Sequence, residues 1–154
     1  MTEPPLRRLV IGYGNPIRRD DGLGPALARR IEERSLPGVT VMVDYQLVVE
    51  IAHDIAAHDE VLFIDAATSG NAPFVFTAVT ERPDEGMISH GLTPEGALSL
   101  AGTLFGATTK GWLLAVRGYD FAPFDESLTD AASANLEAAS VHAFRWLSER
   151  GEEV

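Results

Sequence analysis

Few residues in this chain have the chemistry to act on another molecule. Asp20 and Asp21 stand side by side in LVIGYGNPIRRDDGLGP, residues 9–25, where an apolar run breaks at glycines. Asp44 closes a second apolar run, VTVMVDY, Asp65 closes a third, EVLFIDA, and His90 lies in the stretch RPDEGMISHG. Carboxylates work as general acids or bases and as ligands for divalent ions, and an imidazole adds a nitrogen ligand. An acid that ends an apolar strand must be paired, metal-bound or solvated at a rim, because an isolated buried charge costs too much. Each residue also has a plainer reading. One of the aspartate pair caps the helix that follows, and Asp20 is assigned that task. Asp44 reads equally as a turn residue, and His90 alone as a loop histidine. The expected convergence of several carboxylates and His90 on one rim favours a metal role.

Other constellations fail on spacing. GYGNPIR is no dinucleotide fingerprint, because Ile17 occupies the third glycine position and Pro16 interrupts the turn. His53 and His58 would lie roughly 140° apart around a helix and cannot share an ion. Ser89 and His90 are chain neighbours, which rarely point at each other, and no HExxH occurs. The chain has no cysteine, which removes disulfides, thiolate sites and a cysteine nucleophile.

The elements that must position these residues alternate. Strands are expected at RRLVIGYG, VTVMVDY, EVLFIDA, FVFTAVT and GWLLAVRG. Helices are expected at LGPALARRIEERS, at LVVEIAHDIAAH, from Thr93 to about Phe105, and from about Thr129 to Arg150. Thr93 reads as a cap with Pro94 in the first helical position, and Gly106 as the stop. RPDEGMISHG is expected as an irregular loop. Near-continuous apolar strands alternating with helices imply an α/β three-layer sandwich, with about five mostly parallel strands covered on both faces. No linker or repeat divides residues 1–154, so one domain is expected. In such sheets, sites form beyond the carboxyl ends of the parallel strands. That is where Asp20, Asp21, Asp44 and Asp65 would fall, with His90 in the loop after the fourth strand.

Length and composition are consistent with this picture. A chain of 154 residues with 45% hydrophobic content can build one substantial core. Its net charge of -11 argues against nucleic acid or an anionic membrane surface as partner. MTEPPLRR lacks an apolar signal segment and no run reaches the length of a membrane span, so a cytoplasmic address is expected, and a monomer.

The combination of GYGNPIRRDDGLGP, VLFIDA and SHGLTPEGAL resembles the hydrogenase maturation endopeptidases, over most of the chain. The resemblance implies removal of the C-terminal extension of a nickel-iron hydrogenase large-subunit precursor, with nickel already inserted in that precursor as the recognition handle. It implies Asp21, Asp65 and His90 as the metal-binding residues, and no resident organic cofactor. Some family members carry glutamate where this chain has Asp21, one methylene longer. Asp44 and Gln46, in DYQL, fall where relatives show an Asp-Gly-Gly-like turn and are the expected substrate contacts. Two carboxylates and an imidazole suit a borderline ion such as nickel or zinc and leave positions open for water or substrate. Water is activated either by the metal or by Asp21 or Asp65 as general base. The rival readings are a zinc peptidase with its own metal, a nickel chaperone without cleavage activity, and a signalling receiver module. The receiver reading lacks the lysine expected after the fifth strand, since VRGYDF holds none.

Overall fold

A computed structural model describes residues 4–82, 87–88 and 91–152. Five strands form one sheet: β1 (Arg8–Tyr13), β2 (Val39–Asp44), β3 (Glu60–Ala67), β4 (Phe74–Val79) and β7 (Lys110–Arg117), in the order β2-β1-β3-β7-β4. The pairs β1–β2, β1–β3 and β3–β7 are parallel, and β4 runs antiparallel along the outer side of β7. A two-stranded ribbon, β5 (Met87–Ile88) with β6 (Gly91–Leu92), stands apart from the sheet.

Alternate residues of a strand point to opposite faces, and the apolar strands supply a core on each side. Leu9, Ile11, Val61 and Phe63 pack on one face with α2 (Ile51–Ala56) and α3 (Pro94–Phe105). Val10, Leu62, Ile64 and Leu114 pack on the other with α1 (Leu23–Glu33) and α4 (Asp130–Glu152). The expected mostly parallel α/β sandwich is therefore the architecture observed.

Local chemistry explains the element ends. Pro25 lies in the first turn of α1, where backbone N–H groups have no intrahelical acceptor, so its missing donor costs nothing. Thr93 caps α3 by accepting from Gly96 N at 3.0 Å, and Gly106 ends the helix with φ of 65°. Those two signals were legible in the sequence. The second helix is shorter than expected: Leu47–Glu50 lies outside α2, although Leu47 is buried. There the backbone makes three-residue turns, Ile51 N to Val48 O and Ala52 N to Val49 O, which suits β-branched Val48 and Val49. The stretch 82–91, expected as irregular, holds β5 and the start of β6.

The direction of β4 corrects the route by which residue 90 was expected to reach the site. Val79 pairs with Gly111 near the start of β7, so the carboxyl end of β4 lies at the opposite edge from those of the parallel strands. The chain nevertheless comes back. A Cβ on Gly91 would meet Gln46 Oε1 at 4.0 Å, beyond the carboxyl end of β2, and Glu95 lies within electrostatic reach of Tyr13 at the end of β1.

Candidate active site

The loop after β1 is shaped by contacts that tolerate only glycine. Gly14 has φ of 146°, and a Cβ there would sit 2.0 Å from the carbonyl oxygen of Asp21. A Cβ on Gly24 would meet Ile64 O at 2.5 Å and Tyr13 O at 2.6 Å, so the start of α1 rests directly on the ends of β1 and β3. Residues Arg19–Gly22 form a 3-10 turn between these contacts. Asn15 N donates to Asp21 Oδ2 at 2.6 Å, and Asn15 Oδ1 accepts from Ile17 N. Asp21 is thus half-buried, fixed by a backbone donor and turned toward the sheet edge.

Asp20 does something else. Its expected role as the cap of α1 is not what the structure shows: Gly22 occupies the cap position and no side chain bonds the first turn. Asp20 is fully buried and reaches across the fold. Its Oδ2 accepts from Tyr119 N at 2.8 Å, Asp120 N at 3.1 Å and Thr129 Oγ1 at 2.8 Å, while Oδ1 accepts from Thr129 N at 2.8 Å. Burial alone would raise its pKa, but these donors override burial and hold it below the usual carboxylate value. Thr129 in turn accepts from Ala132 N and caps α4. Arg19 pairs with Asp120 at 2.8 Å and Asp125 at 3.5 Å, adding a second tie to the same loop.

Asp65, near the end of β3, faces this loop. Its Oδ1 accepts from Ala66 N at 2.7 Å, and the nearby Tyr13 hydroxyl also favours its charged form. Burial, together with repulsion from Asp21, raises its pKa to about 6 despite both groups. Asp21 and Asp65 are therefore brought together, close enough for their charges to oppose each other. Tyr13 is held well above its ordinary pKa, by burial first and then by the nearby Asp65 and the charge of Glu95. Neither Tyr13 nor Glu95 stood out in the sequence, one inside an apolar strand and the other inside a helix-start motif. The signal for Tyr13 was its offset: β1 and β3 pair Gly12 with Ile64, which sets Tyr13 beside Asp65.

His90 lies outside the described residues. Asp44 is exposed at the end of β2, where its Oδ1 accepts from Tyr45 N at 2.8 Å and its carbonyl accepts from Gly14 N at 3.1 Å. It lines a cleft of about 250 Å³ with Gly14, Pro16, Pro25, Arg29 and Tyr45. Gln46, also exposed, lines a separate groove with Val49, Gly91 and Leu92. Among the described residues, no three His, Cys, Asp or Glu side chains are grouped to hold a metal ion.

The fold is that of solved hydrogenase maturation peptidases. The chain is similar to the [NiFe] hydrogenase maturation protease HycI from Thermococcus kodakarensis KOD1, with 22% identity, a TM-score of 0.73 and 94% of each chain covered. It is similar to the hydrogenase maturating endopeptidase HybD from E. coli, with 24% identity, a TM-score of 0.73 and coverage of 95% of this chain and 94% of that one. An endopeptidase from Escherichia coli matches with 25% identity, a TM-score of 0.73 and the same coverage of 95% and 94%. No protein-family model matches the chain, and no curated protein matches it in sequence. The antiparallel edge strand β4 removes the receiver reading, which requires a wholly parallel sheet.

Proposed function

We propose that this chain is an endopeptidase that removes the C-terminal extension of a nickel-iron hydrogenase large-subunit precursor after nickel insertion. The observation that carries the reading is the meeting of Asp21 and Asp65 at the carboxyl edge of a fold shared with maturation peptidases. In this reading Asp21, Asp65 and His90 grip nickel that belongs to the precursor. Asp44 and Gln46 contact the precursor's tail from the two neighbouring grooves.

Two acidic side chains are available to take a proton from an attacking water. Asp65, with its pKa near 6, holds and releases a proton close to neutral pH. The precursor's nickel, once gripped, polarises the scissile carbonyl or the water. Attack by water without a covalent intermediate fits a chain with no cysteine. The proposal places the enzyme in the cytoplasm as a monomer, and no helix among the described residues is long and apolar enough to cross a membrane.

Incubation with nickel-loaded and nickel-free precursor tests the reading. Loss of the C-terminal peptide from the loaded form alone is expected. Cleavage of both forms, together with stoichiometric zinc in protein purified without added metal, would identify a resident-metal peptidase instead. Nickel binding with neither form cleaved would leave a chaperone.

A further inference from the structure

The loop between β7 and α4, which anchors Asp20, turns one aromatic ring inward and another outward. Phe121 tucks in: its Cζ lies 2.9 Å from where a Cβ on Gly118 would sit. Phe124 does the opposite and is 90% exposed. Its backbone has φ of 65°, in the left-handed region that a bulky side chain rarely adopts. A ring in solvent offsets none of that strain, so packing within the chain does not explain the conformation. The next residue holds it in place. Asp125 N donates to Ile17 O at 3.0 Å and Asp125 O accepts from Arg19 N at 2.8 Å, which splices this loop to the loop of Asp21. Ile17 is itself exposed. Arg19 takes both acids of the facing loop, Asp120 and Asp125. Arg18 is exposed and makes no ion pair among the described residues. An aromatic ring, an aliphatic side chain and an unpaired guanidinium are thus carried on two loops bonded side by side.

We propose that Phe124, with Ile17 and Arg18, is the surface on which the folded body of the precursor docks, the ring entering an apolar pocket whose rim carries a carboxylate. The inference rests on the proposed peptidase reading and adds to it the place where the substrate's body, rather than its tail, is held. Continuity with the candidate site selects this occupant. Asp21 N donates to Arg18 O at 3.1 Å, so a protein that brings its tail to Asp21 lies against the patch. Charge points the same way. Two copies of a chain with net charge -11 repel each other, which disfavours a second copy here. The unpaired guanidinium fits a carboxylate on the partner's rim. An aromatic side chain that enters a pocket carries a large share of binding energy, and a fixed backbone lowers the cost of ordering it.

Phe124→Gly removes the ring and relieves the left-handed backbone, so the thermal midpoint should hold or rise. With nickel-loaded precursor, KM should rise roughly tenfold or more while kcat stays within about twofold. Binding to the processed large subunit, which has lost its tail, should weaken by the same factor, because the ring meets the body. Arg18→Glu should also raise KM, and the effect should shrink as salt is added. A wild-type KM in Phe124→Gly, a weakening confined to the tailed precursor, or a lowered midpoint would each overturn the inference. So would a wild-type dimer that Phe124→Gly converts to a monomer, since the patch would then belong to a second copy. If wild-type protein fails to cleave loaded precursor, the peptidase reading falls by itself, and binding to the processed subunit still decides the docking surface.

Discussion

Asp20 and Asp21 are neighbours with opposite duties, and substitution separates them. In Asp21→Asn the amide oxygen still accepts from Asn15 N, so the loop keeps its shape while the charge is lost. Processing should be abolished and the urea midpoint should change little. Asp20→Asn is the reverse. Four donors converge on its two oxygens, and an amide nitrogen must face at least one of them. The expected loss is about 2 kcal/mol or more of folding free energy, read from chemical denaturation. Read from the sequence alone, Asp20 was a cap that asparagine could replace; its partners lie about a hundred residues away, where no local spacing reveals them. Asp65 predicts a pH effect. Its folded pKa is raised to about 6 from an ordinary value of 3.8, so between those values the folded form binds more protons than the unfolded one. Its contribution to stability is therefore present at the acid end of that window and lost as pH rises through about 6. Asp65→Asn should lack this decline and should gain on wild type toward neutral pH. Denaturation midpoints that run parallel for both proteins from pH 4 to 7 would contradict the assignment of that pKa to Asp65.

At the scale of elements, the strands and most helix ends were legible because apolar runs, caps and glycines act locally. Strand direction was not. FVFTAVT has the same pattern whether it runs up or down the sheet, and only its pairing with β7 makes it antiparallel. The ribbon of β5 and β6, two residues on each side, is too short to carry a period. Tyr13 was hidden for a related reason: a tyrosine in a buried strand reads as core until a register places a carboxylate beside it. The link between α4 and the aspartate loop is testable through Thr129, which caps the helix and donates to Asp20. Thr129→Ala removes both bonds and should cost about 1–2 kcal/mol. Processing should fall as well, because the motif loop loses part of its anchor. Full stability in this variant would mean that the loop holds its shape without the helix.

For the whole molecule, the candidate site residues gather at one edge of the sheet. The carboxyl edge gathers Asp21, Asp65, Tyr13 and Glu95, and Asp44 and Gln46 each border a cleft beyond the end of β2. Precursor binding should slow backbone hydrogen exchange at Tyr45–Val49 and at Gly91–Leu92, and leave the buried strand β3 unaffected. No added protection at those segments would remove Asp44 and Gln46 from the substrate surface. A net charge of -11 on 154 residues disfavours self-association, and light scattering at ordinary ionic strength should give the mass of a single chain.

The bond between Asp20 and Thr129 also imposes an order on the birth of the protein. The aspartate loop is among the first segments a ribosome makes, yet the groups that hold it at Tyr119, Asp120 and Thr129 are among the last. A growing chain carries the proposed ligands before it can shape the loop that presents Asp21. Nascent chains released before residue 129 should therefore show no processing, even though every proposed nickel-binding residue has already been synthesised. Competence arrives with the final helix.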